Sequence, residues 1–246
     1  MVSKSQQKQI LQLKQKKYRQ KFGLFVAEGT KVVEELLASN WKCSSLFSQN
    51  DHFHPQAIPV DLKTMKQITH FKTPSPFLGV FEIPEPPIVL PSPITLAVDG
   101  VGDPGNLGTI LRLCDWFGVD ELICSAETVD CFNPKVVQAS MGSIARVSCR
   151  YETNLASCLT ALEKPIFGAD GTGKSLYQTQ LPKAATYVFG SESHGLSKVV
   201  KGLLEAKIAI PNLRSGQGAE SLNVATATAI FLSEIFRGVQ SFKGDD

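Results

Sequence analysis

Long apolar runs are missing from these 246 residues: no stretch approaches the ~20 consecutive apolar positions that a membrane-spanning helix requires. Embedding in a bilayer is therefore not expected. No apolar leader with a cleavage signal opens the chain, and its early cations are lysines among glutamines rather than the arginines and serines of a transit peptide. A cytoplasmic location is the expectation. No C-x-x-C pair occurs, and none of the six cysteines (Cys43, Cys114, Cys124, Cys131, Cys149, Cys158) has ligand spacing with the four histidines, so no metal is expected. Five of these cysteines lie in or beside apolar segments, which predicts buried, reduced thiols. Internal repeats are absent as well, which sets aside a repeat architecture.

What is present is an ordinary globular composition, 43% hydrophobic and 20% charged, in a chain long enough for two modest domains. The net charge of +2 conceals an asymmetry: Lys4, Lys8, Lys14, Lys16, Lys17, Arg19 and Lys21 all precede the first acidic residue, Glu28. Such a run is either a frayed, solvated terminus or a segment that contacts phosphates.

Residues 10–81 read as a small α/β unit, with a charged helix, a strand at 24–27, a helix at 30–38 carrying Val32, Val33, Leu36 and Leu37, and short strands near 45–47 and 78–81. Pro84, Pro86, Pro87, Pro91 and Pro93 then preclude a helix or inner strand and predict a linker. The expected division is 1–83, a linker at 84–93, and 94–246. Beyond the linker, strands at 94–98, 122–125, near 147, 166–168, 186–189 and 206–210 alternate with helices at 106–117, 134–139, 155–162, 196–204 and 220–236. Strands apolar throughout predict a parallel sheet covered on both faces, so the fold class is α/β.

Two motifs match patterns whose chemistry the surroundings do not support. Gly168-Ala169-Asp170-Gly171-Thr172-Gly173-Lys174-Ser175 fits the phosphate-loop pattern, which needs a substantial helix directly after the Ser. The continuation is short and ends at Pro182, so a polar surface turn is the expectation and a triphosphatase resting on Lys174 the rival reading. Gly100-Val101-Gly102-Asp103-Pro104-Gly105 fits the dinucleotide pattern G-x-G-x-x-G, but Asp120, Glu121 and Glu127 do not fall at the end of the second strand where the ribose is held.

Three other segments each sit where a strand gives way to a loop and a helix: Asn106-Leu107-Gly108-Thr109-Ile110-Leu111-Arg112, Phe189-Gly190-Ser191-Glu192-Ser193-His194-Gly195-Leu196-Ser197, and Ile210-Pro211 with Glu220-Ser221-Leu222-Asn223-Val224-Ala225. Unpaired N–H groups at such junctions are where α/β proteins place ligands. Asn106 is expected to cap its helix, and Arg112 offers a planar fork suited to phosphate. Glycines 190 and 195 would let a ligand approach the backbone, and Ser221 and Asn223 open the last helix. His194 reads as a loop residue only.

The three blocks resemble the signature motifs of the SpoU family of RNA ribose 2′-O-methyltransferases within the SPOUT class: N-x-G-x-x-x-R, F-G-x-E-x-x-G-L-S, and I-P followed by E-S-L-N-V-A. Asn133-Pro134-Lys135-Val136-Val137-Gln138-Ala139-Ser140-Met141-Gly142 is similar to the family's middle segment, and Lys17-Tyr18-Arg19 with Leu24-Phe25-Val26-Ala27-Glu28-Gly29 to its N-terminal RNA-binding domain. Ser191 departs from the pattern, which commonly has Asn there, and 212–219 is longer than in many relatives. The resemblance implies S-adenosylmethionine as donor, held in a deep trefoil knot with Gly190, Leu196, Ile210 and Leu222 lining the adenosine pocket. It implies Asn106, Arg112, Glu192, Ser221 and Asn223 as functional polar positions, a homodimer paired through the knot region, and RNA, ribosomal rather than transfer, as substrate. Lys14, Lys16, Lys17 and Arg19 would contact that RNA. A transfer-RNA enzyme and a catalytically silent RNA-binding protein are the alternatives.

Overall fold

The computed structural model describes residues 2–39, 41–50, 54–86, 89–90, 92–214 and 221–237. In chain order the first elements are α1 (Lys4–Gln12), α2 (Lys16–Phe22), β1 (Leu24–Glu28), α3 (Thr30–Ala38), β2 (Cys43–Ser48), β3 (Ile58–Pro59), α4 (Leu62–Ile68) and β4 (Phe77–Glu82). There follow β5 (Ile94–Asp99), α5 (Pro104–Phe117), β6 (Glu121–Ser125), α6 (Pro134–Ser140), β7 (Ser148–Glu152), α7 (Leu155–Ala161), β8 (Ile166–Ser175), β9 (Ala185–Gly190), α8 (Lys198–Lys201), β10 (Ala206–Ala209) and α9 (Val224–Ile235). They form two compact units: Met1–Ile88 with Asp103–Arg112 and Val129–Ser148, and Val89–Gly102 with Leu113–Thr128 and Cys149–Asp246.

In the first unit the sheet runs β1-β4-β2-β3, with β4 antiparallel to both neighbours and β3 parallel to β2. Successive strand residues face opposite sides. Val26 of β1 therefore joins Ile10, Leu13, Met65 and Ile68 in one core, while Phe25 meets the rings of Phe81, Trp41 and Phe132 at 5.8, 5.7 and 5.0 Å. Covered on both faces, β1 needs apolar residues at both parities, which is why it reads as a continuous run.

The basic run is two capped helices rather than a frayed arm. Ser3 and Gln6 close a capping box on α1, with bonds of 3.2 and 3.0 Å, and Gly23 (φ +63°) ends α2 in the left-handed region. The sequence reading has no counterpart for β3 or α4, although Asp61, whose Oδ1 accepts from Thr64 N at 2.8 Å, precedes an apolar Leu62, Met65, Ile68 stripe.

Glu28 ends β1 almost fully buried, accepting from Thr69 Oγ1 at 2.6 Å and His70 N at 2.7 Å, while His70 Nε2 donates to Ile10 O at 2.8 Å. Burial raises the Glu28 carboxyl above its ordinary 4.5, and the Thr69 and His70 bonds oppose that rise. A raised acid stabilises the fold fully below its ordinary pKa and loses that contribution as pH climbs through the raised value. Glu28→Ala leaves a buried hydroxyl and amide without an acceptor, so urea unfolding should show a loss of about 2–4 kcal/mol. Glu28→Gln should abolish the pH slope in that window.

In the second unit the sheet order is β10-β8-β9-β5-β6-β7, and the pairs β10–β8, β8–β9, β9–β5 and β5–β6 are parallel. Ala97, Ile123, Leu159, Val188, Leu196 and Val200 form a core against it. From β5 the chain steps outward through β6 to β7, then crosses back to β8 and β9, so the order reverses between β5 and β9. Ligands of open parallel sheets sit outside the carboxyl ends at such a reversal. Asp99 and Gly190 are register partners there.

Several expectations need correction. Residues 168–175 lie within β8 rather than in a turn: pairing to β10 jumps from Gly168 to Lys174, and a side chain at Gly173 would lie 2.3 Å from Lys207 backbone. Only a 3-10 turn, Leu176–Gln178, follows, so no helix N-terminus faces phosphates there. The helix expected at 196–204 is the short α8, begun by the Ser197 cap, and the last helix begins at Val224 because Asn223 caps it. Glu220 lies outside the described residues. None of the six thiols forms a disulfide, but Cys43, Cys149 and Cys158 are only half-buried, two of them on the partly exposed strands β2 and β7. Burial pushes the Cys114 thiol up to about 12, so it stays protonated and unreactive.

Candidate functional site

The loop after β9 is held shut by its backbone. Ser191 and Gly195 exchange hydrogen bonds of 3.2 and 2.8 Å, and His194 N donates to Ser191 Oγ at 3.2 Å. Ser191 thus supplies the small acceptor that the turn requires. A Cβ on Gly190 would lie 2.2 Å from the Gly195 carbonyl carbon and 2.3 Å from Leu196 N, so only glycine allows the chain to fold back on the strand end. Gly195 sits at φ +65°. Glu192 is thereby carried to an exposed tip. Leu196, 3% exposed, packs its side chain into the core, where it anchors the loop.

Beside this loop, Asp99 Oδ2 accepts from Ser197 N at 2.8 Å, and Gly100 (φ +76°) donates from its N to Ser125 Oγ at 2.9 Å. Sequence reading missed Asp99, whose signal was an acidic residue at the end of an otherwise apolar strand.

Helix α5 begins earlier than expected. Asp103 Oδ1 accepts from Asn106 N at 2.9 Å and Asp103 O from Leu107 N at 3.1 Å, with Pro104 in the first helical position. Asp103 is the cap. Asn106 is a third-position helical residue instead, and lies about 120° around the helix from Arg112. Arg112 is exposed and makes no ion pair among the described residues. Gly108 in the same motif permits close packing on α6, since its Cβ would lie 2.5 Å from Ala139 Cβ and 2.8 Å from Val136 O.

Before α9, Asn223 Oδ1 accepts from Ala225 N and Thr226 N at 3.0 and 3.2 Å, which commits that oxygen to capping. Ser221 and Leu222 are exposed and Ile210 is half-buried. Of the RNA-contacting cations expected, Lys14, Lys16 and Lys17 are exposed, but Arg19 is not available: it is 2% exposed and paired with Asp130. No group of three His, Cys, Asp or Glu among the described residues is placed to hold a metal ion, and no helix among them is long and apolar enough to cross a membrane.

Residues 93–233, which include all three motif blocks, match the family model of the SpoU rRNA Methylase family. The chain belongs to the SpoU family. Residues 4–79 match the MRM3-like substrate binding domain. The SpoU chain is 30% identical, over 88% of its own length and 90% of the relative's, to 23S rRNA (guanosine(2553)-2′-O)-methyltransferase RlmP of Bacillus subtilis (strain 168). It matches the structure of a TrmH-family protein from Porphyromonas gingivalis with a TM-score of 0.83 and 38% identity, covering 96% of this chain and 99% of that one. An rRNA methyltransferase from Sinorhizobium meliloti, solved with S-adenosylmethionine bound, matches with a TM-score of 0.82 and 29% identity over 98% of each chain. The SpoU protein is an RNA methyltransferase on a SPOUT-type parallel sheet.

Proposed function

We propose that this chain transfers a methyl group from S-adenosylmethionine to the 2′-hydroxyl of a ribose in ribosomal RNA, in the cytoplasm. Residues 1–83 bind RNA, 84–93 link, and 94–246 form the methyltransferase domain with its trefoil knot. The observation that carries the reading is the loop after β9, whose glycine-only closure at Gly190 and Gly195 builds a side-chain-free edge at the sheet's reversal point. Support for the substrate comes from the Bacillus relative's name and the separate match at 4–79.

The residues present fit the donor. Backbone free of side chains at Gly100, Gly102 and Gly195 gives room for a nucleoside, and exposed Leu222 with half-buried Ile210 gives a purine ring an apolar surface. S-adenosylmethionine supplies a methyl group already activated by its sulfonium charge. The protein's task is alignment and removal of one proton as the O–C bond forms and the S–C bond breaks. The Arg112 guanidinium offers hydrogen-bond donors and no acceptor, so it does not take up the proton. It therefore grips the phosphate beside the target and lowers the hydroxyl's pKa, and the proton leaves to that phosphate or to water. Ser221 and Asn223 hold the target ribose and its loop.

The chain acts as a homodimer. Trp116, on α5 four residues after Arg112, is 84% exposed, and a tryptophan side chain commonly buries about 150–250 Å² at an interface. Sedimentation should show a dimer that Trp116→Glu converts to monomer; an unchanged dimer would place the interface elsewhere.

The test of function is transfer of tritium from labelled S-adenosylmethionine to purified ribosomal or transfer RNA, followed by alkaline hydrolysis, which a 2′-O-methyl group blocks. Label in alkali-resistant dinucleotides of ribosomal RNA is the expected result. Label in transfer RNA alone would move the substrate, and donor binding without label would mean a silent RNA-binding protein.

A further inference from the structure

Arg19 is the one cation of the basic run that cannot meet solvent, and its contacts lead toward the helix of Arg112. Its Nη1 donates to the carbonyls of Leu13 and Lys14, at 2.8 and 3.0 Å, in the break between α1 and α2. Its Nε donates to Asp130 Oδ2 at 2.8 Å, and Nη2 binds the same oxygen. Asp130 in turn accepts from Phe132 N through Oδ1 at 3.1 Å and from Asn133 N through its carbonyl at 2.9 Å. Asn133 Oδ1 caps α6 by accepting from Lys135 N at 3.0 Å. The Val136 carbonyl and Ala139 of α6 then lie against Gly108, one turn before Arg112.

Every link in this series is either a directional hydrogen bond or a contact too close for a side chain. A buried ion pair is weak evidence for added stability, because apolar residues of similar volume serve as well, whereas its directional bonds specify geometry. The guanidinium ties the cation-bearing helices to the start of the segment on which α5 rests, and Lys14, Lys16, Lys17 and Lys21 stand exposed around it. We infer that the Arg19–Asp130 pair is a positioning element, which keeps RNA gripped on α1 and α2 in register with Arg112. The inference rests on the methyltransferase reading above.

Two variants test it. Arg19→Lys keeps the charge but replaces bonds made by three separate nitrogens of a planar fork with those of a single ammonium nitrogen. The double variant R19M/D130L fills the same space without directional bonds and without leaving a lone buried charge. RNA affinity is measured by filter binding to transcribed 23S rRNA across a salt series, donor affinity by calorimetry, and chemistry by single-turnover methylation at saturating RNA and S-adenosylmethionine. The expected result is RNA and donor affinities within about twofold of wild type and a single-turnover rate lowered roughly 10- to 100-fold, the scale of a small misplacement of reacting groups. A wild-type rate in the folded double variant would overturn the inference. So would RNA affinity falling in proportion to rate, because the pair would then only maintain the RNA-binding surface. Wild-type protein that leaves all RNA unlabelled would instead remove the methyltransferase reading beneath it.

Discussion

Arg112→Ala should lower the single-turnover methylation rate by about 10²–10³-fold, the usual cost of removing one group that stabilises a developing charge. The side chain is exposed and without an ion pair among the described residues, so its loss should leave Tm and donor affinity close to wild type. That separation makes the variant diagnostic. Arg112→Lys restores charge without the fork, and recovery of only part of the lost rate would assign the remainder to bidentate phosphate binding. Near-normal turnover in the lysine variant would rule out a need for the fork, and near-normal turnover in the alanine variant would remove Arg112 from the chemistry.

Gly190→Ala should fail for a different reason, one that acts before any chemistry. The added methyl would collide with backbone at Gly195 and Leu196, and neither can yield cheaply. Gly195 is held by two hydrogen bonds to Ser191, and Leu196 is held by the core. Overpacking of this kind costs about 1–3 kcal/mol. In a protein of this size that lowers Tm by about 2–12 °C. Displacement of the loop should weaken S-adenosylmethionine binding by 100-fold or more, on the order of 2.7 kcal/mol, in calorimetric titration. Gly195→Ala provides the contrast. Its Cβ would meet only Lys201 Nζ at 4.0 Å, so the penalty is the left-handed backbone alone, about 1–2 kcal/mol. Normal donor binding by Gly190→Ala would exclude this loop from the donor site.

How far the site could be read in advance depended on what each residue's role requires. Glycines 108, 190 and 195 were visible as motif members, but the sequence does not say what they must avoid touching. The contacts of Gly108 with α6 and of Gly190 with Leu196 supply that reason. Asn106 was expected to cap α5, a fair inference from residue preference, yet Asp103 three positions earlier is the better acceptor and has Pro104 after it. Leu196 matched a pocket position by resemblance, and its side chain went into the core because it follows directly on a closed turn. The ten-residue β8 hid behind a phosphate-loop pattern because glycine and polar residues suggest a turn locally, while pairing with β10 is made by residues some forty positions away.

The order of residues by itself determined the α/β class, the parallel character of the second sheet, most elements within a few residues, and the three motif blocks that place the chain among SpoU methylases. These are properties of periodicity, capping chemistry and short local patterns, which neighbouring residues settle among themselves. Only the tertiary structure decided that Arg19 is a buried pin and Lys17 a surface cation, although both stand in one basic run. That difference arises because Arg19 meets Asp130, 111 residues away, and no local pattern records such a partner.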